Sequence, residues 1–545
     1  MKAPDIARLT LDEKIGQLFV VAGRGTFMGE SSLAYRELLR HVEENHVGGV
    51  IWFLSNVYET AFLNERLQAA ARVPLLISAD LEAGIGMRFT DTTFWPSAMA
   101  VAAAGDLSLA EEQGRITARE ARAIGINHIY APVADVNVSP KNPVINTRSF
   151  GEDPHEVGKY VAAVIRGIQS ERCLATAKHF PGHGDTHVDS HRALPVLDVD
   201  RARLDAVELV PFRAAIAAGV GSIMIGHLAI PSLDPEEVPV RRFGDSTREN
   251  VYGTEEHEIT RRGTIPATIS KPIIDGLLRH ELGFDGLVVT DSFEMGGLVA
   301  HFDPGEAAVR AIEAGEDQIV YSADPDVAIL GVRRAVESGR LSEARIDESV
   351  RRILQAKERV HHGVAPAAEI FREVDSAMHR GVAETIAQRA ITLLRDRGGM
   401  LPLRAKQIAV VVATDLPESD LPIAEGLREL RTRVPSVQVF TFDSRSRVED
   451  GADVDGDAIV MLLALRPRSG AGRIAVPEVV RSIVERAGEK TVAVLLGSPY
   501  VATALPRAST ILCAYGIQPV AQVAAVRAIF GDAEIRGRCP VTIGE

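Results

Sequence analysis

Eight short apolar runs alternate with amphipathic segments over the first two thirds of the chain, and this alternation limits the possible folds severely. Each run is rich in apolar or β-branched residues and is bounded by Gly, Pro or polar residues, which is typical of a buried parallel strand. Eight strands that alternate with helices predict a TIM-like (β/α)8 barrel within residues 1–360. The runs are residues 16–23, 47–53, 74–80, 126–136, 173–180, 221–230, 286–293 and 316–324.

Polar residues in these runs lie mostly at the carboxyl ends. In a barrel of parallel strands those ends meet on one face, where active sites are built. We therefore expect the functional site on this face. The strand-end residues are Asp80, Asp135, His179, His227, Asp291 and Asp324.

The last third of the chain predicts a second domain. After a linker at 361–372, residues 373–545 begin with a long predicted helix over 374–396 and continue with apolar strands that alternate with helical segments. This order predicts an open α/β sandwich domain with a mostly parallel sheet. The predicted strands are residues 408–414, 437–442, 458–465, 491–497 and 510–516.

Composition excludes some classes of function. With 60 Lys+Arg against 74 Asp+Glu the formal charge is −14, which argues against binding to nucleic acid or to an anionic membrane. The sequence contains no charge-free apolar stretch of about 18 residues, so we expect no transmembrane helix. Three cysteines are too few for a disulfide framework and indicate reduced thiols. We expect a cytoplasmic protein, and composition leaves its oligomeric state open.

The segment KHFPGHGDTHVDSH (178–191) carries four histidines at intervals of four residues. On a helix they would share one face and suggest a zinc site. Pro181, Gly182 and Gly184 exclude a regular helix, and no HExxH motif is present. A glycine-hinged loop with ionisable groups is therefore favoured over a metal site.

Two further positions carry candidate chemistry. An Asp189 carboxylate that accepts one ring N–H of His191 would fix the tautomer and leave the other nitrogen free for proton transfer. A surface pair is the alternative. Asp291, at the end of the seventh run, could be a nucleophile, a base, a metal ligand or a helix cap.

A charged segment at 236–265 interrupts the barrel pattern after the sixth run. It is long, poor in apolar periodicity and expected on the active-site face. Either it is a solvated insertion, or it is a lid or specificity loop, as long loops often are.

Four segments together resemble the signature segments of glycoside hydrolase family 3, and more narrowly its β-N-acetylglucosaminidase branch. They are DLEAGIGMRF (80–89), NPVINTRSFGEDP (142–154), KHFPGHGDTHVDSH (178–191) and GFDGLVVTDSFEM (283–295). In the second domain, AQRAITLLRDRGGMLPL resembles the C-terminal α/β sandwich of the family.

The resemblance implies an exo-acting, retaining enzyme that removes terminal GlcNAc from cell-wall fragments, as in peptidoglycan recycling, or from chitin oligosaccharides. It implies that Asp291 is the nucleophile and that His191, with Asp189 as its partner, is the acid/base on a mobile loop. It also implies a small carbohydrate as the binding partner, with no metal and no organic cofactor. The residues implied to bind sugar hydroxyls are Asp80, Arg88, Arg148, Lys178 and His179.

Some features leave alternatives open. The branch usually carries EGGxV where this chain has EAGIG (82–86), which alters a turn near the sugar site. A histidine donor departs from the usual pair of carboxylates, and a neutral imidazole repels an incoming phosphate less, so a phosphorylase is an alternative. A β-glucosidase, a non-catalytic sugar-binding barrel and a metal-dependent barrel hydrolase are the others.

Overall fold

Eight parallel strands form a ring in the first two thirds of the chain. The structure is a computed structural model that describes residues 5–23, 28–90, 92–186, 194–238, 263–295, 302–414, 423–466 and 474–544. Each of the eight predicted runs contains one strand of the ring. The strands are β1 (Phe19–Gly23), β2 (Gly49–Trp52), β3 (Leu76–Ala79), β4 (His128–Ile129), β5 (Leu174–Phe180), β6 (Ser222–Ile225), β7 (Leu287–Thr290) and β8 (Ile319–Val320).

The ring closes in chain order. β1 pairs in parallel with β2 on one side and with β8 on the other. A parallel bridge between Val289 and Gln318 joins β7 to β8. The predicted (β/α)8 barrel is therefore confirmed.

Helices cover the outside of the ring, because strands buried on both faces need apolar cover. They are α1 (Leu11–Gln17), α2 (Leu33–Glu43), α3 (Val57–Ala70), α4 (Ala98–Ala103), α5 (Leu107–Ala123), α6 (Pro154–Ser170), α7 (Arg201–Ala206), α8 (Leu209–Ala217), the π-type helix α9 (Pro272–Glu281), α10 (Pro304–Ala314), α11 (Pro325–Glu337) and α12 (Glu343–Arg359).

Aspartates begin several of these helices by accepting backbone N–H groups. Asp153 does so for α6 and Asp303 for α10, each with Pro in the first turn. Asp324 caps α11 in the same way by accepting the N–H of Val327 at 3.0 Å. The strand-end residue Asp324 is therefore the N-cap of a helix.

A second sheet of six strands forms the C-terminal α/β domain. Its order is β9–β14–β13–β12–β10–β11, and of the described pairs within this sheet only β9–β14 is antiparallel. The predicted open, mostly parallel sheet is confirmed. The strands are β9 (Thr392–Asp396), β10 (Gln407–Thr414), β11 (Ser436–Phe442), β12 (Ala458–Ala464), β13 (Thr491–Leu495) and β14 (Thr510–Cys513).

The helices of this part of the chain are α13 (Ala367–Glu373), α14 (Ala377–Ala390), α15 (Ala424–Arg431), α16 (Glu478–Ala487) and α17 (Pro519–Phe530). The single long helix predicted over 374–396 is wrong. The helix ends at Ala390, and the β-branched and leucine residues that follow form β9, because they find a partner edge in β14.

The barrel and the C-terminal domain share a hydrophobic core. α16 covers one face of the second sheet, whereas α14, α15 and α17 cover the other. Met99, Ala100 and Ala103 of the barrel helix α4 belong to the same buried cluster as α16. The two parts therefore pack as one body along this contact.

Two features concern the predictions about membrane helices and the charged insertion. No helix in the described part of the chain is long and apolar enough to cross a membrane. The insertion at 236–265 starts and ends in a two-stranded antiparallel ladder, Glu237–Val238 with Gly263–Thr264. Residues 239–262 lie outside the described residues, so the role of the insertion as a lid stays a prediction.

Candidate active site

A cavity of about 720 Å³ opens at the carboxyl ends of the barrel strands. Six of the predicted site residues line it: Asp80, Arg88, Arg148, Lys178, His179 and Asp291. The other two predicted residues, Asp189 and His191, lie outside the described residues.

The floor of the cavity is a network of ion pairs centred on Lys178. Its Nζ lies 2.7 Å from Oδ1 of Asp80 and 2.8 Å from Oε1 of Glu82. Arg88 donates to Asp80 at 2.7 Å, and Arg148 donates twice to Glu82 at 2.8 Å. These charge-assisted bonds hold hydrogen-bond acceptors and donors in fixed directions.

The network keeps both carboxylates ionised. Burial alone would raise the pKa of Asp80, but Lys178 and then Arg88 outweigh it and lower that pKa to about 2. Burial would likewise raise the pKa of Glu82, yet Arg148 and Lys178 hold it well below its ordinary range. Glu82 is not among the predicted site residues, although its place two residues after a strand-end aspartate is a usable signal.

His179 is oriented by Asp135. The Nδ1 atom of His179 lies 2.7 Å from Oδ2 of Asp135, and Oδ1 of the same carboxylate accepts the backbone N–H groups of His179 and His183. The Nε2 atom of His179 lies 3.4 Å from Nη2 of Arg148. Asp135 is a predicted strand-end residue on this face, and its hydrogen bonds hold the loop after β5 in place.

His183 lines the cavity and is not among the predicted site residues. Burial lowers its pKa to about 4, so the ring is neutral at physiological pH. Nδ1 lies 2.7 Å from Oγ1 of Thr186, and Nε2 has no partner within the described ranges. The ring thus presents one uncommitted nitrogen in the wall of the cavity.

Asp291 supplies an anion at the end of β7. Its Oδ1 accepts the N–H of Ser292 at 2.7 Å. Burial would raise its pKa, but His179, His227 and that N–H bond hold it below the ordinary value. No helix starts within the described residues 292–295, so the cap alternative finds no support there. An ionised carboxylate in a cavity can act as a nucleophile or a base.

The C-terminal domain also reaches the cavity. Arg466 and the segment Tyr515–Gln518 complete its lining. No pattern in the sequence pointed to these residues, because their place depends on how the two domains pack.

The described residues offer no cluster of ligands for the alternative of a metal site. Within the described residues, no three His, Cys, Asp or Glu side chains come together as a metal site. Asp80 and Glu82 are instead occupied by Lys178, Arg88 and Arg148.

A barrel with an ionised carboxylate and a network of ion pairs at its strand ends has the architecture of a glycoside hydrolase. The chain belongs to glycosyl hydrolase family 3, because residues 10–356 match the model of the Glycosyl hydrolase family 3 N terminal domain. It is 31% identical, over 98% of this chain and 94% of the relative, to a β-N-acetylglucosaminidase/β-glucosidase of Cellulomonas fimi.

Two solved structures share both domains. A family 3 β-N-acetylglucosaminidase from Paenibacillus sp. str. FPU-7 superposes with a TM-score of 0.84 at 33% identity, over 98% of this chain and 99% of that chain. The β-glucoside phosphorylase BglX superposes with a TM-score of 0.83 at 26% identity, over 98% and 95%.

Proposed function

We propose that this protein is an exo-acting, retaining β-N-acetylglucosaminidase that removes terminal GlcNAc from oligosaccharides. The observation that carries the proposal is the ionised Asp291 in the same cavity as the Lys178 network. The similarity to a β-N-acetylglucosaminidase over both domains supports the choice of sugar.

In the proposed mechanism, Asp291 attacks the anomeric carbon and forms a covalent glycosyl-enzyme. The bond to the leaving oxygen breaks as that oxygen takes a proton from His191, which Asp189 orients. In the second step His191 removes a proton from water, which attacks the same carbon and releases Asp291. Two inversions at one carbon give net retention.

The paired side chains at the cavity floor bind the sugar before this reaction. Carboxylate oxygens of Asp80 accept hydrogen bonds from sugar hydroxyls, whereas Lys178 and Arg148 donate hydrogen bonds to hydroxyl oxygens. Because these groups already hold one another in place, little ordering is needed when the sugar binds. The C-terminal domain lines part of the same cavity, which favours a chain end over the middle of a polymer.

A phosphorylase is the second candidate. The likeness to the phosphorylase BglX supports it. Phosphate would then attack the glycosyl-enzyme in place of water and release a sugar 1-phosphate. A preference for glucosides is the third candidate, because the printed name of the Cellulomonas relative includes β-glucosidase.

We also propose that the natural substrates are cell-wall fragments and that the enzyme works in the cytoplasm. Resemblance to the branch supports the substrate. The three cysteines, Cys173, Cys513 and Cys539, are free thiols, which supports a reducing compartment.

A panel of 4-nitrophenyl β-glycosides, with and without phosphate, tests the proposal. We expect the GlcNAc substrate to react fastest and free GlcNAc to be the product. An increase in rate with phosphate, together with sugar 1-phosphate as the product, would establish the phosphorylase instead. Faster cleavage of the glucoside would establish the β-glucosidase.

The Asp291→Ala variant tests the nucleophile in the same assay. We expect kcat to fall by at least about 10³-fold. Asp285→Ala is the matched control, because Asp285 is exposed just before the same strand, and its activity should stay within twofold. Substantial residual activity in Asp291→Ala would show that another group attacks the sugar.

A further inference from the structure

The C-terminal domain presents the carboxyl end of its sheet to the barrel cavity. Arg466 follows β12, and the segment Tyr515–Gln518 follows β14. These strands are parallel members of one sheet, so the loops after them emerge at the same edge. That edge faces the barrel strand ends across about 720 Å³, which holds a ligand larger than one monosaccharide.

The loop after β14 is held firmly over the cavity. The hydroxyl of Ser97, in the barrel, donates to the carbonyl of Tyr515 at 2.9 Å. The hydroxyl of Tyr515 donates to Thr392 at 2.8 Å. Tyr515 itself has φ of 60°, a left-handed conformation that a non-glycine residue keeps only when its surroundings impose it. The loop therefore offers a fixed surface to a ligand.

Gln518 is the polar side chain that this loop brings to the cavity. It is only 6% exposed, and its Oε1 has no hydrogen-bond partner among the described residues. It stands at the N-cap of α17 without capping that helix by its side chain. An unpaired buried amide oxygen is unfavourable, and a bound hydrogen-bond donor would offset that cost.

Gly516 leaves the space that this amide occupies. A Cβ at residue 516 would lie 2.0 Å from Oε1 of Gln518. Any side chain at 516 would therefore move the amide out of its place in the cavity wall. Glycine at this position is explained by the close approach, since its φ is not in the left-handed region.

The chemistry of the amide selects its partner. One end of an amide accepts hydrogen bonds and the other donates them. A hydroxyl group can donate or accept, so it satisfies either orientation of the amide, whereas a carboxylate or phosphate can only accept. A sugar hydroxyl is therefore the partner that fits Gln518 best.

Position decides which sugar this is. In the proposed function, the hydroxyls of the terminal GlcNAc bind Lys178 and its partners on the barrel floor. Gln518 lines the same cavity from the C-terminal domain. The sugar beyond the cleaved bond is the part of a disaccharide that the groups on the barrel floor do not hold, so it is the partner left for Gln518.

We infer that Gln518 binds a hydroxyl group of the leaving-group sugar and gives the enzyme a preference for sugar over aryl aglycones. This inference rests on the proposed function.

The test compares kcat/KM for N,N′-diacetylchitobiose and for 4-nitrophenyl β-GlcNAc. In Gln518→Ala we expect about a tenfold loss on the disaccharide, mainly through KM, and less than a twofold change on the aryl substrate. Gln518→Glu keeps an acceptor for a hydroxyl and should retain most of the disaccharide activity. Gln438→Ala, an exposed glutamine on β11, is the matched control and should change neither value.

Equal losses on both substrates, or no loss on the disaccharide, would overturn the inference and leave the proposed function intact. A Gln518→Glu variant that falls as far on the disaccharide as Gln518→Ala would also overturn it, since a carboxylate oxygen can still accept from a hydroxyl group. A wild-type protein that cleaves neither substrate would overturn the proposed function itself and this inference with it.

Discussion

Two buried lysines show how the neighbours of a charge decide its use. Lys178 and Lys357 are 2% and 1% exposed. Burial acts against the charge of both, but Asp80 and Glu82 raise the pKa of Lys178, whereas burial lowers the pKa of Lys357 to about 7. The Nζ of Lys357 donates to the Gln17 amide oxygen at 2.5 Å. With equal burial, Lys178 in the cavity therefore stays protonated, whereas Lys357 in α12 loses its proton much more readily.

Lys357→Met should change the pH dependence of stability. Between the ordinary pKa of 10.5 and about 7, the unfolded chain binds the proton of Lys357 and the folded chain does not. The stability of the wild type therefore falls by about 1.4 kcal/mol per pH unit as the pH drops through this range, and no further below it. Relative to wild type, we expect the variant to gain roughly 3 kcal/mol in free energy of unfolding from pH 9.5 to pH 7.

Urea unfolding at the two pH values measures this change. Lys271→Met, at an exposed lysine, is the control and should show no such dependence. If the difference in free energy of unfolding between Lys357→Met and wild type does not vary with pH, the lowered pKa of Lys357 is contradicted.

At the scale of elements, the loop after β3 depends on one glycine. This loop carries Asp80, Glu82 and Arg88, and it packs against Trp95. Gly84 has φ of 76°, and a Cβ there would lie 2.0 Å from Cδ1 of Trp95. Both the conformation and the space thus require glycine.

Gly84→Ala should destabilise the protein and weaken sugar binding. Gly105→Ala is the matched control, because Gly105 has a similar φ of 71° but no neighbouring atom within 4 Å of the place that a Cβ would take. We expect the control to cost about 1 kcal/mol of backbone strain. Gly84→Ala should cost at least about 2 kcal/mol more and raise KM, because the clash with Trp95 moves the loop. Equal losses in the two variants would show that the contact has no effect.

Elements with a clear local signal could be predicted from the sequence. All eight barrel strands were, because each is a short apolar run between turn residues, and so were the strand-end residues Asp80, His179 and Asp291. β9 was missed because a strand at the edge of a sheet depends on pairing with β14, which no local pattern encodes. Because the leucines of this segment continue a helical period, their pattern predicts a helix instead.

The candidate site could be predicted only in its barrel half. Gln518 reaches the cavity through the packing of two domains, and His183 through a loop that Asp135 holds. No periodic pattern in the sequence predicts either contact. Asp189 and His191 stay predictions, as do the domain boundaries at 360 and 372.

At the scale of the whole molecule, the barrel and the C-terminal domain are tied by buried contacts. Glu120, in the barrel helix α5, accepts from Thr93 at 2.8 Å and lies 2.7 Å from Nδ1 of His379 in α14. Asp106 lies 2.7 Å from Arg389 across the same contact. With α4 also inside the second core, opening one domain would expose the core of the other.

The two domains should therefore unfold together. The chain has two tryptophans, Trp52 and Trp95, and both are buried in the barrel, so their fluorescence reports the barrel alone. Circular dichroism in the far ultraviolet reports both domains. We expect the two signals to give coincident thermal midpoints. Midpoints that differ would show that the domains unfold independently.

The measurement that tests the central claim most directly is trapping of the covalent intermediate. A fluorinated GlcNAc analogue with a good leaving group slows the second step and lets the glycosyl-enzyme accumulate. Intact-mass and peptide analysis should find one sugar attached to Asp291 in the wild type and none in Asp291→Ala. A sugar attached to another residue, or turnover of the analogue with no adduct at any time, would contradict Asp291 as the nucleophile.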